Sequence, residues 1–326
     1  MKIWKHTESV SFRNPVVTIG IFDGVHTGHK SILEKVKSVA RSCKGESVVL
    51  TLWPHPRQVL NKESKKLRYL SSFNEKIILL EKTGIDHLVV VEFTREFAQL
   101  GSCEFIEDML VKKIGIQHLV IGFNHKFGRN REGDYQNLKE CAEIYNFTIQ
   151  QTEPVKNNGE IISSSLIRDL LINGKLDESN KYLGYNYFLQ GRVTGGNRIG
   201  RQIGFPTANL TPHDEHKLIP GDGVYAVNLE TDNNIYNGML NIGMRPTIHS
   251  KLSEKTIEVN IFDFAGDLYG QDITIIFRKR IRDEKKFKSI EQLKHQLVMD
   301  REETRRILGK DGASTGSAPG GSYKHG

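Results

Sequence analysis

Pro15-Val-Val-Thr-Ile-Gly-Ile-Phe-Asp-Gly-Val-His-Thr-Gly-His-Lys30 decides the fold of the first half of the chain. The apolar, β-branched residues Pro15–Phe22 read as a buried strand. The chain then turns through Asp23–His29, where Gly24 and Gly28 permit a tight turn and close backbone approach to a ligand. A helix follows near Lys30–Arg41, and its start offers free N–H groups and a positive dipole end, suited to phosphate. His26 and His29 stand three residues apart, so both rings can face one ligand and donate hydrogen bonds to triphosphate oxygens as charge builds. Two surface histidines on a turn are the plain alternative. The strand before and the helix after favour the phosphate reading.

Working outward, strands and helices alternate. Ser47–Trp53 is a second strand. Ser72-Phe-Asn-Glu75 fits a capping box opening the apolar helix Glu75–Lys82. His87–Val91 and Gln117–Gly122 read as further strands, with a helix near Cys103–Lys113 between them. This alternation predicts an α/β domain with a doubly wound parallel sheet. The second half differs. Tyr187–Thr194, Gly223–Glu230, Ile235–Ile242, Thr256–Phe262 and Asp272–Phe277 read as short strands separated by turn residues, the spacing of a barrel or sandwich. Ser289–Ile307 reads as one helix with Ser289 as N-cap. We take the second half as a mainly β barrel with a terminal helix and divide the chain into domains 1–183 and 184–309. Residues 310–326 form a Gly/Ser-rich tail expected to be disordered.

The length of 326 residues suits two domains, and 37% hydrophobic with 26% charged residues excludes a disordered or collagen-like chain. Net charge is +7, from 46 Lys and Arg against 39 Asp and Glu, spread over both halves. Such mild basicity suits an anionic ligand as well as nucleic acid. Three cysteines without a C-x-x-C pair argue for reduced thiols and a cytoplasmic protein. No apolar run approaches a membrane span, so no membrane partner is expected. There is no G-x-x-x-x-G-K-[ST] loop, so any kinase here cradles phosphate another way.

Other motifs carry chemistry. Ile162-Ser-Ser-Ser-Leu-Ile-Arg168 starts a helix; Ser163 and Ser164 can cap it, or hold phosphate beside the Arg168 guanidinium. Gly191–Asn209 is glycine-rich and basic and ends Pro206-Thr-Ala-Asn209. Its glycines can form a flap over phosphates, and the Thr207 hydroxyl and Asn209 carbonyl are hard oxygen donors suited to Mg²⁺ bridging to ATP. Thr256–Phe262 alternates as a strand and puts Glu258 on one face. Arg278–Lys288 holds seven basic residues, read mostly as a solvated face.

With these residues in view, the first segment resembles the H-x-G-H signature of nucleotidyltransferases. More narrowly, residues 14–307 resemble the bacterial bifunctional riboflavin kinase/FMN adenylyltransferases. The resemblance implies a nucleotidyltransferase-like first domain that converts FMN and ATP to FAD, and a second domain that phosphorylates riboflavin to FMN with ATP and Mg²⁺. It implies ATP binding in the first domain by Phe22, Asp23, Gly24, His26, Gly28, His29, Ser163, Ser164 and Arg168. Flavin binding falls to Pro54, His55, Pro56 and to Asn124 in Gly122-Phe-Asn-His-Lys-Phe-Gly-Arg-Asn-Arg-Glu-Gly133, with Asn124 at the reacting end. In the second domain Gly195, Gly200, Gly204, Thr207 and Asn209 would bind ATP, Thr207 and Asn209 the metal, Glu258 would be the base and Arg282 would lie at the flavin. The partners implied are riboflavin, FMN and ATP, with no nucleic acid; no oligomeric state is legible. The family usually has Asn where this chain has Ile21, which keeps open a chain active only in its kinase half. A basic nucleic-acid-binding protein, drawn from the pI of 9.1 and the 278–288 cluster, is the non-enzymatic rival.

Overall fold

A computed structural model describes residues 1–5, 8–60, 67–129, 132–195, 203–231, 234–246 and 253–311. Its contacts divide the chain into two units, the first ending at Ser164 and the second beginning at Ser165.

The first unit opens with β1 (Lys2–Lys5), β2 (Val16–Ile19) and α1 (Thr27–Ser42), followed by β3 (Ser47–Trp53), α2 (Pro56–Leu60), α3 (Phe73–Glu81) and β4 (His87–Glu92). Next come α4 (Ser102–Phe105), running on as a π-helix over Ile106–Ile114, β5 (His118–Gly122), α5 (Tyr135–Tyr145), β6 (Thr148–Thr152) and the hairpin β7 (Lys156–Asn157) and β8 (Glu160–Ile161). Six strands pair in the order β1-β4-β3-β2-β5-β6, all parallel. Every residue of β2 is buried, as a central parallel strand covered on both faces must be. Helix α1 buries Leu33, Val36 and Ala40, one stripe at helical spacing. The chain leaves β2 for β3 on one side and reaches β5 on the other. The crevice at the carboxyl ends of β2 and β5 is therefore a topological switch point, where open α/β sheets bind ligands.

The second unit holds most of α6 (Ser164–Ile172), then α7 (Leu176–Leu183), β9 (Phe188–Thr194), β10 (Ala208–Pro212), β11 (Gly223–Glu230), β12 (Ile235–Pro246), β13 (Ser253–Ile261), β14 (Asp272–Arg282) and the terminal helix α8 (Ile290–Asp311). Strands β10-β13-β12-β11-β14-β9 close into an antiparallel barrel, which leaves no sheet edge. Tyr225, Leu229, Leu240, Val259, Ile275 and Phe277 are fully buried in it. Helix α8 packs against β11, β12 and β14.

The expected parallel sheet, barrel and terminal helix are all present. Two element boundaries differ. Within the second unit, the Gly221 N–H donates to the Leu171 carbonyl, and Asn180 accepts from the Tyr187 N–H and donates to the Phe277 carbonyl. Strand β2 stops at Ile19, because Phe22 already adopts φ +50°. The last helix runs to Asp311, so Lys310 and Asp311 are helical and not tail; the rest of the expected tail lies outside the described residues.

Candidate active sites

In the first unit the turn after β2 is held in an unusual backbone. Phe22, Gly24 and Val25 have φ of +50°, +77° and +36°. For a β-branched valine this region is strained and must be imposed by its surroundings. Asp23 imposes it: its buried carboxylate accepts from the Leu70 N–H at 2.9 Å and the Ser71 N–H at 3.1 Å, while the Gly24 N–H donates to Ser71 Oγ at 3.0 Å. Asp23 thus anchors the turn through its side chain. His26 caps α1, its Nδ1 accepting from the His29 N–H at 3.3 Å. The two imidazoles stack with centroids 3.7 Å apart, and Phe22 meets His29 edge-on at 5.2 Å. A Cβ on Gly28 would come within 3.0 Å of His26 Cε1, so the glycine makes room for the first ring.

The second serine motif comes to the same place. Ser164 Oγ donates to the Asp23 carbonyl at 3.0 Å, and the Ile162 carbonyl lies 3.5 Å from where a Gly28 Cβ would be. Ser163 precedes this contact by one residue. Arg168 follows one helical turn along α6, on the side of Ser164, half-buried. Burial, then the neighbouring His26 and Lys76, hold the His29 imidazole well below its usual pKa of 6.5. The ring is neutral at physiological pH.

Two loops flank this turn in the sheet order. After β3, Pro54, His55 and Pro56 are all partly buried, and the His55 ring stacks on Tyr69 at 5.7 Å. Trp53 packs on Tyr69 and Phe73. After β5, Asn124 sits exposed in the turn that follows the strand, whose Phe123 carbonyl is held by Gln151 Nε2 at 2.9 Å. The arrangement offers two imidazoles, a helix N-terminus and serine hydroxyls to a polyphosphate, with aromatic and polar loops beside them.

In the second unit the barrel register does the positioning. Asn209 pairs directly with Glu258, and Glu258 with Asn241 on its other side. Directly opposed residues share a face. Buried Ile257 and Val259 flank Glu258, so the half-buried carboxylate stands with both asparagines on the opposite face. Thr207 is exposed just before β10. Gly204 has φ +82°, a conformation that favours glycine, and Gly195 follows β9 and is exposed. Gly200 lies outside the described residues. The donors Thr207, Asn209 and Glu258 are all oxygen, the chemistry Mg²⁺ takes.

Arg282 closes β14, and its guanidinium grips the buried Asp300 of α8, with Nη2 at 2.6 Å and Nε at 2.9 Å. Arg280 likewise bonds the Asp222 carbonyl and Asp283. The basic cluster is therefore split: these arginines tie elements together, whereas Lys279, Lys285, Lys286 and Lys288 are exposed.

Sequence reasoning missed several participants. Asn260 shares the face of Glu258, and its Nδ2 donates to the Pro206 carbonyl at 2.6 Å, fixing the start of the Pro-Thr-Ala-Asn segment. The alternation 258, 260 was the available signal. Ser71 and Asp300 act through distant partners and left no local signal. Nor did Lys76, which is buried.

A family model described as FAD synthetase matches residues 9–166, and one described as riboflavin kinase matches residues 183–308. The chain is 36% identical over 301 residues to the bifunctional riboflavin kinase/FMN adenylyltransferase of Bacillus subtilis (strain 168), covering 90% of this chain and 92% of that protein. The chain belongs to this bifunctional family. Another riboflavin kinase/FMN adenylyltransferase, that of Escherichia coli (strain K12), is 36% identical over 295 residues, covering 90% of this chain and 93% of that one. A solved structure described as a macrolide-efflux protein from Streptococcus pneumoniae superposes with a TM-score of 0.85 at 32% identity, covering 94% of this chain and 99% of that one. The efflux description is that protein's own. Among the described residues of this family member, no helix is long and apolar enough to cross a membrane.

Proposed function

We propose that this chain makes FMN from riboflavin at the barrel and FAD from FMN at the parallel-sheet unit, using ATP in both steps. The observation that supports the reading is that each unit has a candidate site of its own, the His26/His29 turn joined to Ser164 in one and the opposed Asn209 and Glu258 in the other.

In the barrel, Glu258 takes the proton of the riboflavin 5′-hydroxyl as that oxygen attacks the γ-phosphorus, and ADP leaves. Thr207 and Asn209 would hold a magnesium ion, which supplies charge neutralisation on the ATP phosphates. Asn260 keeps Thr207 and Asn209 in place through Pro206. In the sheet unit, an oxygen of the FMN phosphate attacks the α-phosphorus of a second ATP and pyrophosphate leaves. No covalent enzyme intermediate is needed, because the acceptor is already a nucleophile. His26, the neutral His29, the α1 N-terminus, Ser163 and Arg168 stabilise the charge that develops, while His55 and Asn124 hold the flavin end.

We place both activities in the cytoplasm, in line with the reduced-thiol reading, and assign no nucleic-acid partner. The purified protein, incubated with riboflavin, ATP and Mg²⁺ and sampled by chromatography, should form FMN and then FAD. FMN alone would restrict the reading to the kinase half. No conversion by folded protein would overturn it, and filter binding to RNA or DNA at two salt concentrations would then test the rival reading.

A further inference from the structure

Lys76 is the least expected charge in the first unit. It sits one residue past the capping box of Ser72 and Glu75, at the head of α3. Its side chain is 1% exposed. Its ammonium, which has three N–H donors, finds no hydrogen-bond partner among the described residues. It lies over the face of Trp53, 4.9 Å from the ring centroid. Asp23 is the carboxylate that acts on it electrostatically, but that carboxylate is already engaged with the Leu70 and Ser71 amides. Lys76 is also one of the charges acting on His29. The ammonium therefore lies against Trp53, at the start of the Trp53-Pro54 loop, and acts on the histidine turn, which the functional reading gives to flavin and ATP respectively.

A buried ammonium without a hydrogen bond is costly to the folded chain. Trp53 offsets part of that cost, since a desolvated cation over an indole is attracted by the ring. Burial lowers the Lys76 pKa to about 8 against the raising effect of Asp23, so most molecules keep the charge at neutral pH. A charge retained at such cost, next to the neutral His29 imidazole, acts on whatever anion enters the turn. Low-dielectric surroundings let it act over several ångströms without contact.

We propose that Lys76 is a positioning residue of the adenylyltransferase site: its buried ammonium is a fixed positive charge against which the substrate phosphates are seated. The inference rests on the proposed FMN adenylylation. The phosphate can be the triphosphate of ATP or the monophosphate of FMN, and the two are separable by experiment.

The test uses the full chain as wild type, Lys76→Met and Lys76→Arg, with FMN and ATP varied separately. Lys76→Met should lose about tenfold or more in kcat/KM, the size expected for one charge at several ångströms and an effective dielectric of roughly 20. Loss in KM for ATP, with weaker inhibition by pyrophosphate, assigns the triphosphate; loss in KM for FMN assigns the monophosphate. Lys76→Arg should recover most of the activity. Lys76→Met should melt no lower than wild type, because an apolar side chain there removes a buried charge. A merely structural lysine gives the reverse: a lower melting temperature and no rescue by arginine. That result, or unchanged kcat/KM in Lys76→Met, overturns the inference alone. A wild-type chain that cannot convert FMN to FAD overturns the functional reading and this inference with it.

Discussion

Asn209 on β10 and Glu258 on β13 are directly opposed across the barrel, which places an amide and a carboxylate from residues 49 positions apart on one face. Asn241 flanks Glu258 from β12 in the same row. The pairing links the Pro206-Thr-Ala-Asn209 segment to a candidate base by backbone register alone. A slip of one residue would turn Glu258 toward the buried side and end the arrangement.

Glu258→Gln keeps the shape and removes the proton acceptor. Riboflavin phosphorylation should fall by about 10²–10⁴-fold, the usual contribution of a positioned general base. FAD formation from supplied FMN should continue, since that step uses the other unit. Chromatography of flavins from the two substrates, run in parallel, decides the matter; equal loss of both would remove the two-site account.

His29→Ala should do the reverse, with FMN accumulating from riboflavin and little FAD. The same residue has a stability signature. Its folded pKa lies well below 6.5 because burial disfavours the charged ring. The unfolded chain therefore binds a proton near pH 6.5 while the folded chain does not. Stability from this group is full above that pH and is lost as pH falls below it, toward the folded pKa. Urea titrations from pH 7.5 to 5 should show a smaller loss in His29→Ala than in wild type.

How much of this was legible in the sequence follows the physics of each element. The β2–turn–α1 unit was readable because apolar run, glycines and histidines are local. The strands of the barrel were readable for the same reason, through short alternating runs between turns. The polar edge strand β6, Thr148-Ile-Gln-Gln-Thr152, was not, since it is exposed along most of its length and carries no apolar alternation. Strand β10 was hidden because it begins only at Ala208, within the motif read as a nucleotide segment. Helix α5 has a local signal, Asp134 capping Gln136 and Asn137. Asp23, Lys76 and Asp300 work through partners far along the chain, such as Leu70, Trp53 and Arg282, and no local pattern encodes those contacts.

Gly28→Ala tests the fit of the histidine turn. The added methyl would meet His26 at 3.0 Å from Cε1 and 3.1 Å from Nδ1, tighter than ordinary contact. The ring must shift, and with it the stack on His29 and the cap on α1. FAD formation should fall by roughly tenfold, because a misplacement near 1 Å in a catalytic constellation can cost up to 10²-fold. Riboflavin phosphorylation should be unchanged. A variant with unimpaired FAD synthesis would mean that His26 does not need its observed position.

Asp300→Ala tests whether Arg282 is a tie or a ligand. Asp300 is 2% exposed, and its carboxylate accepts from Arg282 and from Gln296 Nε2 at 2.9 Å. Removing it strands a guanidinium that is largely buried, at a cost of about 3–5 kcal/mol. At roughly 2–4 °C per kcal/mol for a unit of this size, thermal unfolding of the barrel should move down by about 10 °C. Replacing both partners, Arg282→Met with Asp300→Leu, should recover most of the stability, since an apolar pair avoids the desolvation of two charges. Kinase assays on that double variant then separate two roles. Full activity would make Arg282 a strut between β14 and α8. A raised KM for riboflavin in a stable barrel would show that Arg282 also contacts the flavin, as the family resemblance implies.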